Sequence, residues 1–210
     1  MVRSQPVVLY EDDWIAAIDK PSGLLTIPAA GRDRSLTGIL NQNLTESKIP
    51  YRLHPCHRLD RETSGVILYA KGKAAQKKMM GLFKSKLIKK SYIAFVHGRL
   101  PRAQGMINRS IEGQSAITNY KTLEQRVNYS VVEVNPVTGR KNQIRIHFKG
   151  IGYPLVGESR FAFRKDFVLK AKRVLLHAAK ISFMHPLTGK CISISSQLPR
   201  DMLEFLNAHP

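Results

Sequence analysis

An acidic residue between two arginines is the feature of this sequence that points most directly to chemistry. Asp60 lies between Arg58 and Arg61 in the stretch 57–68, and Gly65 precedes an apolar run. Nearby guanidinium groups favour the ionised form of a carboxyl group. The pattern therefore suits a nucleophile or an electrostatic stabiliser better than a proton donor. A structural Asp–Arg pair at a turn is the alternative interpretation.

A second polar stretch follows a turn at residues 135–140. Three apolar residues alternate there with three polar ones: Ile144, Ile146 and Phe148 with Gln143, Arg145 and His147. A period of two predicts a β-strand that carries the polar side chains on one face. That face would either line a cleft or meet bulk water on an edge strand.

An aromatic residue beside two cations is the third candidate. Tyr92 follows Lys89 and Lys90 at the start of a predicted strand. An aromatic ring can stack on an unpaired base while neighbouring cations hold phosphates. The alternative is a tyrosine that only fills the core or the surface.

The charge of the chain indicates a polyanionic partner. The 210 residues include 34 Lys and Arg against 15 Asp and Glu, a formal net charge of +19. A field of this size favours nucleic acid, with an anionic membrane surface as the rival. Eight lysines and no acid lie between Lys71 and Lys90, and a second basic run spans residues 160–173. Both runs are candidates for a phosphate-contacting surface, although a solvated helix face would look the same.

Strand patterns predominate among the elements that must position these residues. Strands are predicted at residues 14–19, 66–70, 91–97 and 129–134, with a hairpin at 181–195. Helices are predicted at residues 73–85 and from Pro199 onwards. The sequence shows no repeat and no linker, so an α+β protein with one domain over residues 1–210 is expected.

Other classes of protein and site receive little support. Cys56 and Cys191 cannot make a disulfide framework, which fits a reducing compartment. A zinc site built from His54, Cys56 and His57 has the wrong spacing. No targeting segment is visible, and no apolar stretch approaches the roughly 20 residues of a membrane span. A cytoplasmic location is therefore expected.

Asp60, Tyr92 and Arg145, in this order, resemble the RluA class of RNA pseudouridine synthases over nearly the whole chain. The segment Ile18-Asp19-Lys20-Pro21-Ser22-Gly23-Leu24-Leu25 resembles the first motif of that class, and residues 57–65 resemble its signature. Residues 152–157 and Leu176-His177-Ala178 resemble later segments.

The resemblance implies a fold and a set of roles. The fold would be the pseudouridine synthase catalytic fold, α+β, with a central mixed, largely antiparallel sheet, flanking helices and an active-site cleft. Asp60 would attack the target nucleoside, Tyr92 would stack on the flipped base and aid proton removal, and Arg145 would pair with Asp60. Arg58 would enter the space that the uridine leaves. The residues expected to contact RNA are Arg58, Arg61, Thr63, Lys89, Lys90, Arg140, Asn142, Gln143 and His147.

The expected substrate is a specific uridine in structured RNA, either tRNA or rRNA. Because the uridine must leave its stack, a hairpin loop or bulge is favoured. No cofactor or metal is expected, and the protein is expected to be a monomer without an obligate protein partner. Asn142 stands where the class usually has His, which leaves local RNA contacts open. A stand-alone catalytic domain, without the S4-like domain of many relatives, is also expected.

Three other functions remain as alternatives. A non-catalytic RNA-binding protein on the same fold would be expected to lack Asp60 or Arg145, and both are present. A glycosidic-bond hydrolase would need two facing carboxylates, for which only Asp60 and Glu62 lie close in sequence. A membrane-surface protein would need a basic helix with a strong apolar face.

Overall fold

The computed structural model describes residues 6–28, 34–162 and 169–210. Residues 1–5, where a targeting segment was sought, and 163–168, part of the second basic run, lie outside this range. The elements in chain order are β1 (Val7–Glu11), β2 (Ile15–Lys20), α1 (Leu36–Glu46), β3 (Leu53–Pro55), β4 (Ser64–Lys71), α2 (Lys73–Lys84), β5 (Lys89–His97), β6 (Gln104–Asn108), β7 (Ile117–Gln125), β8 (Tyr129–Pro136), α3 (Gln143–Gly150), β9 (Leu176–Met184), β10 (Cys191–Ser195) and α4 (Arg200–Ala208).

The chain forms two compact units. Unit 1 comprises Met1–Ile88 and Lys180–Gln197, and unit 2 comprises Lys89–Ala179 and Leu198–Pro210. The boundary within the second half of the chain falls inside β9, so this strand contributes residues to both units.

In unit 1, β4 is the central strand. It pairs with β2 in antiparallel register from Ile15–Ala70 to Lys20–Gly65, and it also neighbours β9. Residues 64–70 are all buried. A strand that has neighbours on both sides and both faces covered has a continuous apolar sequence. Residues 66–70 have this pattern, and it predicted β4 correctly.

The two helices that the structure describes in unit 1 form for different local reasons. Helix α1 begins after Ser35, whose side chain accepts a hydrogen bond from the Gly38 N–H at 3.1 Å and so caps the helix. Helix α2 is amphipathic. It buries Ala75 and Met79 in the core of the unit and leaves most of its lysines exposed.

In the described part of unit 2, an antiparallel sheet has helix α3 packed on one face and helix α4 on the other. Its strands follow the order β5-β8-β7-β6. The face that carries Ala94 packs against Ile144 and Phe148 of α3. The opposite face, which carries Phe95, packs against α4 through Phe205. Alternation along β5 therefore directs successive side chains to two separate cores.

Most of the sequence-based predictions of elements are confirmed. The strands predicted at 14–19, 66–70, 91–97 and 129–134 correspond to β2, β4, β5 and β8. The predicted hairpin forms, with Met184 opposite Cys191. The two predicted helices are α2 and α4, the latter preceded by Pro199 as its N-cap residue. The expected α+β class with a largely antiparallel sheet is confirmed. Among the described residues, no helix is both long and apolar enough to cross a membrane.

The prediction of a strand at residues 143–148 is wrong, because helix α3 forms there. The six-residue pattern fits either element, since Ile144 and Phe148 are four residues apart and also share a helix face. The polar residues of the pattern, Gln143, Arg145 and His147, are buried rather than exposed. The alternation of polar and apolar residues in this segment therefore does not correspond to an alternation of exposed and buried side chains.

Candidate active site

Asp60 lies in the loop between β3 and β4 and is a half-buried residue. The Thr63 N–H donates to the Asp60 carbonyl at 3.1 Å and closes a turn. The preceding residue, Leu59, is held on both sides by one hydroxyl. Thr26 Oγ1 donates to the Leu59 carbonyl at 2.9 Å and accepts from the Leu59 N–H at 3.2 Å. The backbone that carries Asp60 is therefore fixed by a buried side chain.

A buried lysine fixes the other side of this turn. Lys20, at the end of β2, is 0% exposed, and its ammonium donates to three carbonyl oxygens. These belong to Pro21 at 2.9 Å, Leu24 at 2.7 Å and Arg61 at 3.2 Å. Because an ammonium has three donors, each hydrogen has an acceptor. The segment after β2 and the residue after Asp60 are thus tied to the same cation.

Further bonds join the same two segments. The Gly23 N–H donates to the Arg61 carbonyl at 2.8 Å, and Arg61 Nε donates to the Gly23 carbonyl at 3.0 Å. Ser22 Oγ donates to the Glu62 carbonyl at 2.9 Å. The structural role of residues 20–26 is therefore to hold the Asp60 turn. Spacing in the sequence gave no sign of this role.

His57 lies near the start of the loop and contacts α2. Its Nε2 accepts a hydrogen bond from the Leu68 N–H at 3.0 Å, which requires the neutral ring with hydrogen on Nδ1. The ring lies 4.8 Å, centroid to centroid, from Phe83 of α2. Helix α2 thereby supports the start of the loop, while Arg58 and Arg61 remain exposed.

In unit 2, Tyr92 and Lys90 share one face of β5. Tyr92 is half-buried, lies opposite Val134 of β8 and packs against the apolar cluster that includes α3. Lys90, two residues earlier, is also half-buried, and burial lowers the pKa of its ammonium group. Lys89 is exposed.

The start of α3 explains how Asn142 replaces the usual His of the class. Asn142 has φ 55° and ψ 23°, in the left-handed region. Asn and His are both among the residue types enriched in that region. The backbone therefore accepts either type, and Asn142 Oδ1 accepts a long hydrogen bond of 3.4 Å from Arg145 Nη1.

Gln143 uses its whole amide group to seat α3. Its Oε1 accepts from the Thr138 hydroxyl at 2.7 Å and from the Arg140 N–H at 3.0 Å. Its Nε2 donates to the Ile117 carbonyl and to Thr118 Oγ1, both at 2.9 Å. Four bonds satisfy two donors and two acceptor positions, so the side chain is fully occupied inside the protein.

His147 continues this network from the next turn of α3. It is 0% exposed, and its Nε2 lies 2.9 Å from the Arg109 carbonyl, to which it must donate. Its Nδ1 therefore accepts from the Thr118 hydroxyl, also at 2.9 Å. Burial lowers the pKa of His147 and favours the neutral ring that this pattern needs.

Arg145 is buried against an acid that sequence reasoning missed. Its Nε donates to Glu158 Oε2 at 2.7 Å and its Nη2 to Glu158 Oε1 at 2.8 Å. Glu158 also accepts from the N–H groups of Arg160 and Phe161. Burial alone would raise the pKa of Glu158, but the Arg145 guanidinium and these N–H groups outweigh it and lower the pKa. The only available signal was an acid directly after the motif at residues 152–157.

The structure places the predicted site residues in two groups. Arg58, Asp60, Arg61 and Thr63 lie in one loop of unit 1, and the others lie in unit 2. Around the start of α3 it brings together Arg140, Asn142, Gln143 and Arg145. The predicted pair between Asp60 and Arg145 joins residues of different units and stays a prediction.

Metal-ligating residues do not converge in the part of the chain that the structure describes. No group of three or more His, Cys, Asp or Glu side chains there could hold a metal ion. Cys56, one of the three residues considered for zinc, is buried, and burial raises the pKa of its thiol to about 12.

Comparison with known proteins gives a consistent result. Residues 15–149 match the family model for RNA pseudouridylate synthase. The dual-specificity RNA pseudouridine synthase RluA of Vibrio cholerae is 34% identical over 196 residues, which cover 85% of this chain and 77% of the relative. The ribosomal large subunit pseudouridine synthase C of Rickettsia bellii is 34% identical over 209 residues, covering 91% and 68%. The solved structure of human RNA pseudouridylate synthase domain containing 4 has a TM-score of 0.80 at 23% identity, covering 95% of this chain and 91% of that one, a similarity of fold.

Proposed function

Because the chain belongs to the RluA class of the RNA pseudouridylate synthase family, it is an isomerase that acts on RNA, and we propose that Asp60 is its nucleophile. The substrate is a specific uridine in structured RNA. One relative is named for the large ribosomal subunit, and we propose rRNA or tRNA as the substrate class. The protein acts as a monomer in the cytoplasm, without an obligate protein partner.

The rigid loop around Asp60 is the observation that carries the proposal. Thr26 holds the residue before Asp60 and Lys20 holds the residue after it, and both anchors are buried. Asp60 as a whole residue is only half-buried. A reactive group whose backbone is fixed on both sides, while its side chain stays accessible, is preorganised for attack on a bound substrate.

The reaction exchanges one bond to the ribose for another. The bond between uracil N1 and C1′ breaks, the base turns, and a bond forms between C5 and C1′. C5 loses a hydrogen and N1 gains one, so the step is an isomerisation. In the proposed site Asp60 attacks the flipped nucleoside, Tyr92 stacks on the base and aids proton removal, and Arg145 pairs with Asp60. Arg58, exposed in the Asp60 loop, fills the space that the base leaves.

Phosphate contacts are proposed for the cations that solvent reaches. Arg58, Arg61, Lys89 and Arg140 are exposed, and Lys90 is half-buried. The remaining residues predicted to contact RNA are Thr63, Asn142, Gln143 and His147, which are buried. Gln143 and His147 make hydrogen bonds within the protein. These two side chains could contact RNA only if those hydrogen bonds broke. Their proposed role is therefore to hold α3 in place.

Replacing Asp60 by Asn tests the proposal. The amide keeps the shape of the side chain but loses the charge and the nucleophilic oxygen. We expect turnover to fall by roughly 10³-fold or more while RNA affinity stays near the wild-type value. Turnover is measured as tritium release from transcripts labelled at uridine C5, from pooled tRNA and rRNA, and affinity is measured by filter binding.

Glu62→Gln is the matched control, because it removes the other carboxylate of the same turn. It should keep wild-type turnover, whereas the two-carboxylate hydrolase alternative requires a loss. Equal loss of affinity and turnover in Asp60→Asn would indicate a structural aspartate. Tight binding with no release from any RNA would favour the non-catalytic RNA-binding alternative.

A further inference from the structure

The solvent-facing side of helix α2 carries several lysines around a single glycine. We propose that this side of α2 is a docking surface for the sugar–phosphate backbone of the RNA substrate, and that the backbone lies against Gly81 between the lysines. The inference rests on the proposed function in taking the substrate RNA as the occupant. It adds a binding surface to unit 1 that lies outside the Asp60 loop.

Five exposed lysines form this surface, which we call the lysine face of α2: Lys73, Lys77, Lys78, Lys84 and, just after the helix, Lys86. Successive residues of an α-helix lie about 100° apart around its axis, so Lys73, Lys77 and Lys84 fall within about 40° of one another. Gly81 lies about 40° beyond this row, and Lys78 lies about 60° beyond Gly81. The glycine is therefore flanked by lysines on both sides.

The charge of the lysine face fits a partner that runs along the helix. No acidic residue lies between Lys71 and Lys90, so this segment supplies no carboxylate of its own. Lys71 itself pairs with Glu11 at 2.7 Å and is not part of the face. The row from Lys73 to Lys84 is about 16 Å long, at about 1.5 Å per residue. A nucleic-acid backbone presents regularly spaced negative charges over such a length.

Gly81 is a residue that the packing of α2 does not require. It is exposed, and no atom of the described chain lies within 4 Å of a Cβ built at this position. Its backbone is helical, a conformation that every residue with a side chain adopts easily. Glycine inside a helix lowers stability relative to most other residues. What glycine does provide is close approach of another molecule to the backbone.

Lys86 shows the opposite choice at the end of the same helix. It has φ 57°, in the left-handed region, and directly follows the C-cap residue Ser85. The Lys86 N–H donates to the Phe83 carbonyl at 3.2 Å, and the Leu87 N–H donates to the Leu82 carbonyl at 3.0 Å. Glycine is the usual residue at this position, because a side chain there is strained.

Gly81 and Lys86 together indicate a function for the lysine face. Glycine stands where a lysine would stabilise the helix, and lysine stands where a glycine would be free of strain. Each choice lowers stability, and each favours a cationic surface that a nucleic-acid backbone can approach closely. Positions at which local structural preferences are broken tend to be functional.

The opposite side of α2 is attached to the segment that leads into the Asp60 loop. Gln76 Nε2 donates to the Pro55 carbonyl at 2.9 Å, and the Phe83 ring lies 4.8 Å from the ring of His57, centroid to centroid. Asp60 is three residues after His57, a distance of at most about 11 Å along the chain. RNA bound along α2 is therefore held next to the proposed nucleophile within one unit.

The test is Gly81→Gln, which places a neutral side chain between the lysines. Glutamine forms helices better than glycine, so the melting temperature should rise by roughly 1–4 °C. The affinity for pooled tRNA at 50 mM salt, measured by filter binding, should fall by about 3- to 10-fold, as on loss of one phosphate contact. The slope of log affinity against log salt should decrease by about 1.

Thr45→Gln is the matched control, because it adds a neutral side chain at an exposed position of α1, in the same unit. Its RNA affinity should stay near the wild-type value. A solvated helix face without a partner predicts a more stable Gly81→Gln protein with unchanged affinity, and this result overturns the inference. A lower melting temperature would show that folding requires the glycine and would overturn it as well.

A hairpin RNA in which cytidine replaces every uridine tests whether the backbone is the occupant. Phosphate contacts carry no sequence information, so Gly81→Gln should weaken binding of this RNA by the same factor as binding of tRNA. A loss confined to RNA that contains uridine would place Gly81 in the target site and contradict the inference.

Filter binding does not depend on turnover, which separates this inference from the proposed function. If no RNA releases tritium but Gly81→Gln weakens binding of both RNAs, the proposed function fails and the docking surface stands. If turnover depends on Asp60 and Gly81→Gln binds RNA as the wild type does, only the docking surface fails.

Discussion

Lys20 shows how a single buried charge can organise a reactive loop. Burial of an ammonium group costs free energy unless its donors are satisfied. Three carbonyl oxygens at 2.7–3.2 Å satisfy them here, and one belongs to the residue after Asp60. Through these bonds Lys20 holds the backbone of the loop.

Replacing Lys20 by Met should destabilise the protein. The variant keeps most of the aliphatic stem but removes the donor from three carbonyl groups. We expect the free energy of unfolding to fall by roughly 2–5 kcal/mol, as when one partner of a buried charged network is removed. Turnover should also fall, because the loop of Asp60 loses an anchor. Urea denaturation and tritium release measure the two effects.

Lys180→Met is the control for this substitution, since Lys180 is an exposed lysine of the same unit. Its effect on unfolding should stay within about 0.5 kcal/mol, as is usual for surface positions. If Lys20→Met were as stable as Lys180→Met, the three hydrogen bonds would contribute nothing to the loop.

Helix α3 is stabilised by its contacts with the rest of unit 2. It has eight residues, Gln143–Gly150, fewer than an isolated helix needs for stability in water. Ile144 and Phe148 give it an apolar face against the sheet of unit 2. Gln143 and His147 anchor it through Thr118 of β7. The helix that carries Arg145 is thus held by polar as well as apolar contacts.

Thr118→Val tests the polar anchor. The hydroxyl accepts from Gln143 and donates to His147 Nδ1, and valine has nearly the same shape without it. The buried Nδ1 would lose its donor, so the free energy of unfolding should fall by about 1–3 kcal/mol. Urea denaturation at pH 7 measures the difference.

Thr122→Val provides a control on the same strand. In the described part of the chain, Thr122 Oγ1 is buried without a hydrogen-bond partner. Removing this hydroxyl should leave stability unchanged or raise it, because an unpaired polar group is costly to bury. Equal effects of the two substitutions would mean that Thr118 contributes only its shape.

Strand β4 and helix α2 could be predicted because polarity follows exposure in both, whereas α1, β1, β3, β6 and β7 were not predicted. Strand β4 was predicted because a strand with covered faces is apolar throughout, and α2 because its lysines face water. Helix α3 was missed because Gln143, Arg145 and His147 are polar and buried. Only their partners on distant elements make that burial possible, and a local pattern does not contain them.

The candidate site could be proposed only in part from the sequence. Asp60, Tyr92 and Arg145 were proposed by resemblance, since their motifs are contiguous, and their roles stay predictions. Lys20 and Glu158 act through residues 41 and 13 positions away. A single lysine or a single acid has no spacing that would reveal such a partner.

The charge of the whole molecule should dominate its affinity for RNA. The formal net charge is +19, and each phosphate contact releases counterions on binding. We expect the affinity to fall by roughly 10²-fold or more between 50 and 200 mM salt. Filter binding across this range gives the slope of the logarithm of affinity against the logarithm of salt concentration.

The exposed lysines of α2 can be tested in the same experiment. Lys77→Gln with Lys78→Gln should reduce the slope by about 1–2, if both side chains contact phosphates. Lys180→Gln with Lys190→Gln removes the same charge from exposed positions elsewhere in unit 1 and should change the slope less. Identical slopes for the two double variants would show that net charge, rather than α2, attracts the RNA.

The boundary between the two units inside β9 has a consequence for how the protein folds during its synthesis. The core of unit 1 combines Ile15 and Leu68 with Ile181, Phe183 and Ile194. On the ribosome, β2 and β4 emerge while these last three residues are still untranslated, and the whole of Lys89–Ala179 is synthesised in between. The N-terminal part of the chain must therefore wait, with its apolar surface uncovered, until the final hairpin arrives. A fragment cut after Ile88 would carry that uncovered surface permanently.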